Sequence, residues 1–148
     1  MRILLADDHP IVRRHVRNVL LHEKGWEVCA EAKTGREAVL MAAAMQPDIA
    51  VLDLSMPELS GLEAARLIHE QFPDMEVIIL TMYEPFELMD QLDGSGVRTC
   101  VMKTDLQDLV HAIRHLPSTN RMLSDTSGNV SDTLKHADKV EQMPARKN

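Results

Sequence analysis

The sequence predicts an α/β fold: a parallel β-sheet with helices on both faces. Three observations predict it. Short apolar runs recur and end in polar residues: Ile3-Leu4-Leu5-Ala6 into Asp7-Asp8, Ile49-Ala50-Val51-Leu52 into Asp53, Val77-Ile78-Ile79-Leu80 into Thr81, and Thr99 to Met102 into Lys103. These runs are rich in Val, Ile and Leu without polar alternation, as in strands buried on both sides. Between them lie segments with apolar residues at helical spacing, several opened by Ser or Thr with Glu or Gln three residues later. Strict alternation of the two kinds of segment gives a parallel sheet joined by helical crossovers.

Arg2 to Ala6 is the first expected strand. Asp7-Asp8-His9-Pro10 turns the chain, and proline suits a first helical turn. Ile11, Val12, Val16, Val19 and Leu20 then form an apolar stripe that runs to Lys24-Gly25, with glycine as the stop. Arg13, Arg14 and Arg17 lie opposite the stripe and read as a solvated face; the competing reading is a docking surface for an acidic partner. Trp26 to Ala32 is the second strand. Thr34 and Glu37 form a capping box opening an Ala-rich helix that runs through Met45 and is ended by Pro47. The strand carrying Asp53 follows. Ser60 and Glu63 form a second capping box, before a helix with Leu62, Ala65, Ile68 and Phe72 on one side. Glu76 to Thr81 is the fourth strand, Pro85 to Gly94 a short, weak helix, and Thr99 to Met102 the fifth strand. Thr104 and Gln107 suggest a third capping box, before a helix with Leu106, Leu109, Val110, Ile113 and Leu116 on one face. These elements form one domain over residues 1–116. Residues 117–148 are polar and read as a disordered tail, with Leu134, Ala137, Val140 and Met143 as a faint stripe for a partner-induced helix.

Composition narrows the function. The chain is 45% hydrophobic but only 3% aromatic, so its core must be aliphatic. A net charge of −7 argues against binding a nucleic-acid backbone, which needs a basic surface. No run approaches the ~18 apolar residues of a membrane span. The N-terminus enters a strand directly, with no signal peptide, so a cytoplasmic location is expected. Cys29 and Cys100 have no metal-ligand spacing and read as reduced core thiols.

Carboxylates, a hydroxyl and an ammonium at strand C-termini are the chemistry-bearing set, because ligands of open α/β sheets bind at that edge. If Asp7, Asp8 and Asp53 meet there, each pair at ~5 Å costs on the order of 3 kcal/mol at an effective dielectric of ~20. Such a cluster holds protons or binds a hard cation such as Mg²⁺. A carboxylate can also attack phosphorus, giving an aspartyl phosphate. Lys103 would neutralise phosphoryl oxygens and the Thr81 hydroxyl would donate to another. His9 beside the acids reads as a turn residue before the helix rather than as a ligand.

Asp7-Asp8, Asp53 with Met56-Pro57 and Gly61, Thr81, and Lys103 together resemble the receiver domain of two-component response regulators. Ala6-Asp7-Asp8-His9-Pro10, Asp53-Leu54-Ser55-Met56-Pro57, Leu80-Thr81-Met82-Tyr83-Glu84 and Lys103-Thr104-Asp105 are similar to the NarL/FixJ (LuxR-type) branch. The resemblance implies a flavodoxin-like (βα)5 fold of strand order 2-1-3-4-5. It implies Asp53 as phosphoacceptor, with Thr81 and Lys103 in their family roles. It implies Mg²⁺ held by Asp8, by Asp7 through water, by Asp53 and by the Ser55 backbone carbonyl. The donor would be a histidine kinase or phosphotransfer protein, and a homodimer is among the implied associations. The chain would be a phosphoacceptor with self-catalysed phosphotransfer and dephosphorylation rather than an enzyme of turnover. The implied strand order puts Cys29 and Cys100 on opposite sheet edges, too far apart for a disulfide.

The sequence departs from that family in two ways. Three residues before Lys103, where receivers usually carry Tyr or Phe, stands Cys100, a changed switch position. Residues 117–148 show no helix-turn-helix pattern, so no output domain and no direct DNA binding are expected from this chain. Two other functions compete. A haloacid-dehalogenase-type hydrolase wants Asp-x-Asp after the first strand, where this chain has Asp7-Asp8. A pseudo-receiver would bind partners without ever taking phosphate.

Overall fold

A computed structural model describes residues 1–117. Of the expected tail at 117–148, all but Pro117 lies outside the described residues. Five strands form one parallel sheet: β1 (Arg2–Ala6), β2 (Glu27–Ala32), β3 (Ile49–Asp53), β4 (Glu76–Thr81) and β5 (Val97–Met102). Their order is β2-β1-β3-β4-β5, as the family resemblance implies. The helices are α1 (Pro10–Leu21), α2 (Gly35–Met45), α3 (Gly61–Gln71), α4 (Met89–Leu92) and α5 (Leu106–Arg114).

Two aliphatic layers sandwich the sheet, and strand periodicity sorts residues between them. Leu4, Ala6, Ala50, Leu52, Val77 and Ile79 face α2 and α3, where Ala38, Ala42, Ala64 and Ala65 complete the layer. Ile3, Leu5, Ile49, Val51, Ile78 and Leu80 face the other way, against Val16 and Leu20 of α1 and Leu106, Leu109 and Ile113 of α5. Burying a Leu or Ile side chain contributes about 1.5–3 kcal/mol, so these layers hold the strand ends rigidly.

Several boundaries differ from the sequence expectation. Helix α1 ends at Leu21 and not at Lys24-Gly25: the Glu23 N–H returns to the Leu20 carbonyl, and Gly25, at φ +83°, serves a turn into β2. The segment after Pro85 is not one helix but a 3-10 turn, Pro85–Leu88, followed by the single turn of α4. Strand β5 begins two residues early, because Val97 pairs with Val77. The Ser60–Glu63 capping box is complete. The Thr34 side chain caps α2 through the Glu37 N–H, but the Glu37 carboxylate goes to the Lys33 N–H instead of closing the box. The cap of α5 is Asp105, whose carboxylate accepts from the Asp108 N–H, and not Thr104. Asp105 also donates its N–H to the Met102 carbonyl, so Lys103-Thr104 form the turn leaving β5.

Candidate functional site

Strand order positions the site. Strand β1 has β2 on one side and β3 on the other, so successive crossovers diverge at its C-terminal end and open a crevice there. Asp7 and Asp8 leave β1 at this crevice, and Asp53 ends the neighbouring β3. Thr81 ends β4, and Lys103 follows β5. The three carboxylates, the hydroxyl and the ammonium expected at strand C-termini therefore lie along one sheet edge.

Asp7 is fully buried and Asp53 is 3% exposed. Lys103 lies between them, with its Nζ 2.9 Å from Asp7 Oδ2 and 3.0 Å from Asp53 Oδ1. The Ser55 N–H also donates to Asp53 Oδ1, at 3.3 Å. Asp7 Oδ1 accepts the His9 N–H at 2.9 Å, a local turn that orients the carboxylate. Thr81 is buried, and its Oγ1 accepts the Tyr83 N–H at 2.9 Å, leaving the hydroxyl hydrogen to donate elsewhere. The Lys103 N–H donates to the Thr81 carbonyl at 2.8 Å, which ties the ends of β4 and β5 together.

The charges do not balance. Three carboxylates face one ammonium. Asp53 Oδ2 is buried with no hydrogen-bond or ion-pair partner. Asp7 Oδ2 and Asp8 Oδ1 likewise make no hydrogen bond, although Lys103 and His9 lie within ion-pair distance of them. Burial pushes Asp53 up to about 6; Lys103 opposes that rise and the Asp7 charge adds to it. Burial pulls Lys103 down, but its bonds to Asp7 and Asp53 outweigh burial and leave it raised. Oxygen atoms of Asp7, Asp8 and Asp53 and a ring nitrogen of His9 all lie within 4.8 Å of one another. Three buried carboxylate oxygens without hydrogen bonds, in a cluster of this spacing and excess negative charge, fit a hard divalent cation. A groove of about 600 Å³ opens beside them, lined by Asp8, Ser55, Met56, Tyr83, Leu88 and Gln91 among others.

Sequence reasoning missed two neighbours of the site. His9, expected only to turn the chain, has Nδ1 3.0 Å from Asp8 Oδ1. Arg13, expected in solvent, has a side chain only 14% exposed and donates to the Asp7 carbonyl at 2.8 Å. The signal for Arg13 was its place one helical turn after Asp8-His9-Pro10, which periodicity weighs only as "polar face". Cys100 sits in β5 opposite Ile79, half-buried against the layer of α2 and α3. Burial pushes its thiol up.

Residues 3–114 match the response regulator receiver domain. The oxygen regulatory protein NreC of Staphylococcus epidermidis is 38% identical over 116 residues, covering 77% of this chain and 53% of that protein. The response regulator UvrY of Escherichia coli is 34% identical over 125 residues, covering 84% and 57%. The chain thus spans just over half the length of these curated relatives. Among solved structures, a LuxR-family two-component response regulator from Aurantimonas superposes with a TM-score of 0.72 at 30% identity, covering 93% of this chain and 96% of that one. The isolated receiver domain of RcsB from Salmonella enterica, solved in the presence of the phosphomimetic BeF3−, gives 0.67 at 28% identity, covering 77% and 88%. With the fold, the strand order and the sequence match in agreement, the chain belongs to the response regulator receiver family of two-component signal transduction.

Proposed function

We propose that Asp53 is the phosphoacceptor of this receiver, and that its phosphorylation switches a protein-interaction surface. One observation carries the assignment. Asp53 presents a buried oxygen, Oδ2, with no partner, while Oδ1 is held by Lys103 and Ser55. A carboxylate fixed by one oxygen and bare at the other is arranged as a nucleophile. In the transfer, an Asp53 oxygen forms a bond to phosphorus as the donor's bond to phosphorus breaks, and the leaving group takes up a proton. The donor class is a phosphohistidine, on a histidine kinase or a phosphotransfer protein, or a small acyl phosphate. The Lys103 ammonium neutralises charge on the transferred group, and the Thr81 hydroxyl donates to one of its oxygens.

Asp7, Asp8, Asp53 and the Ser55 backbone carbonyl would hold Mg²⁺, whose chemistry is to offset phosphoryl charge. Cys100 is the altered switch position on β5. Similarity to NreC, UvrY and a LuxR-family regulator supports the NarL/FixJ branch for this receiver, which occupies residues 1–116. The proposed site of action is the cytoplasm, where the phosphohistidine donors of this family act; among the described residues no helix is long and apolar enough to cross a membrane. Downstream, the phosphorylated form acts by association, with a second copy of the chain as one partner class. Turnover is confined to the protein's own phosphotransfer and dephosphorylation.

Intact mass after incubation with acetyl phosphate and Mg²⁺ tests this. Wild type gains one phosphoryl group, and the gain needs both Mg²⁺ and Asp53, so Asp53→Ala shows none. A folded wild type that gains nothing and also fails to bind beryllofluoride is instead a pseudo-receiver, a binding module only.

A further inference from the structure

We infer that Arg13 is a positioning residue for the Asp7-Asp8 pair, acting through the Asp7 backbone carbonyl. The inference rests on the proposed reading of these carboxylates as cation ligands. Arg13 lies in α1 on what the sequence presents as a solvated face, yet its side chain is largely buried. Its Nη1 donates to the Asp7 carbonyl at 2.8 Å, and its Nε lies 3.3 Å from Glu31 Oε1 on β2. The other Glu31 oxygen lies 3.6 Å from Arg17 Nε. Arg13 therefore joins three elements at the site: the end of β1, helix α1 and strand β2.

Every polar group of Asp7 is then engaged. Its N–H donates to the Ala32 carbonyl at 3.0 Å, Oδ1 accepts from the His9 N–H, Oδ2 meets Lys103, and the carbonyl meets Arg13. That carbonyl belongs to the planar peptide joining Asp7 to Asp8. A bond that fixes its direction also fixes how the Asp8 side chain leaves the backbone. Without Arg13 the peptide can tilt, and the two carboxylates lose their common aim.

A guanidinium near a cation site also repels the cation, which would make its removal favourable. Salt separates the two effects: the repulsion is long-range and is screened, with a screening length of ~8 Å at ~0.15 M salt, whereas the hydrogen bond to the Asp7 carbonyl is short-range and survives, so at that salt the lost positioning outweighs the lost repulsion.

The test is an amide NMR titration of the full chain with Mg²⁺, without phosphodonor, following shifts around Asp7 and Asp8. Arg13→Met keeps the buried stem but removes the donor, and should need about tenfold more Mg²⁺, the loss expected for one charge-assisted hydrogen bond. Arg13→Lys, which restores a charged donor, should recover part of that loss. Glu31→Gln keeps the bond to Asp7 and should stay within about threefold of wild type, with the difference fading at high salt because it is electrostatic. Arg13→Met binding Mg²⁺ as tightly as wild type overturns the inference. So does Glu31→Gln losing as much as Arg13→Met, because the cross-link to β2 would then be the cause. A wild type with no Mg²⁺-dependent shifts overturns the underlying cation reading, and the inference with it. Should Arg13→Met not give a folded spectrum, Arg13→Leu, which likewise has no donor, carries the same expectation of weakened binding.

Discussion

Lys103 Nζ stands 3.0 Å from Asp53 Oδ1 and, on its other side, 2.9 Å from Asp7 Oδ2. One nearly buried ammonium is thus the counter-ion of two buried carboxylates. Removing it leaves two charges close together in a medium that does not solvate them. Breaking a buried pair in this way costs about 3–5 kcal/mol. Lys103→Met should therefore be strongly destabilised in Mg²⁺-free buffer near neutral pH, and Mg²⁺ or mild acid should return part of the loss. Urea unfolding with and without Mg²⁺ checks this; a loss that neither Mg²⁺ nor acid relieves would mean that packing of the lysine stem matters more than its charge.

The raised Asp53 gives a pH dependence of definite sign. Its folded value of about 6 lies above the ordinary 3.8, so between those pH values the folded protein holds a proton that the unfolded chain has lost. The associated stability is complete below the ordinary value and is lost as pH rises through the folded value. Asp53→Asn removes the titration. In chelator-containing buffer it should flatten that part of the stability curve and exceed wild type at pH 8 by on the order of 1–3 kcal/mol. Parallel curves for the two proteins between pH 4 and pH 8, a span of about four units, would show that burial of this carboxylate carries no measurable penalty.

What the sequence made legible follows from which forces are local. The buried strands and their polar last residues were readable because a parallel sheet demands apolar runs, and its C-terminal edge gathers whatever follows them. The Ser60–Glu63 box was readable because both partners lie within one turn. The ends of α1 and α5 were less so. Gly25 marks a turn but not the helix terminus, and Thr104 was a plausible cap until the turn after β5 made Asp105 the first residue able to serve. Arg13 and His9 were misjudged for another reason. Asp7 and Asp8 are close in sequence, but which way the turn aims His9 and Arg13 at them is not, and Glu31 comes near Arg13 only through the fold; helical periodicity records only that a residue is polar.

Gly61 opens α3 against the backbone of Asp53, the proposed phosphoacceptor. Its N–H donates to the Leu54 carbonyl at 2.8 Å, and a Cβ built there would overlap the backbone carbonyl of Asp53. Backbone cannot swing aside as a side-chain tip can. Gly61→Ala should shift the Asp53 strand end, cost roughly 1–3 kcal/mol of stability, and slow phosphoryl uptake from acetyl phosphate by more than stability alone explains. Thermal unfolding and the intact-mass time course, measured on the same preparation, separate the two effects. Unchanged uptake in a destabilised variant would confine Gly61 to packing.

Cys100 occupies the site where the resemblance implies an aromatic switch. It lies on β5, at the edge of the sheet, half-buried against the layer that includes Val77 and Ile79. Burial pushes the thiol up, so it stays neutral and behaves as a small apolar side chain. In the proposed switch, where Thr81 would turn toward a phosphoryl group, such a side chain lacks the bulk to change a surface. Wild type should therefore alter its β5 surface only weakly on phosphorylation, and Cys100→Tyr should enlarge the change. Phosphorylation-dependent self-association, followed by light scattering with and without beryllofluoride, reads it out, alongside amide shifts on β5. At a half-buried edge position the added ring should cost less than about 1.5 kcal/mol of stability, leaving the comparison interpretable. Identical behaviour of Cys100→Tyr and wild type in both measurements would mean that the signal leaves the site by another route. The Thr81–Tyr83 hydrogen bond into the segment before α4 is the route the structure offers.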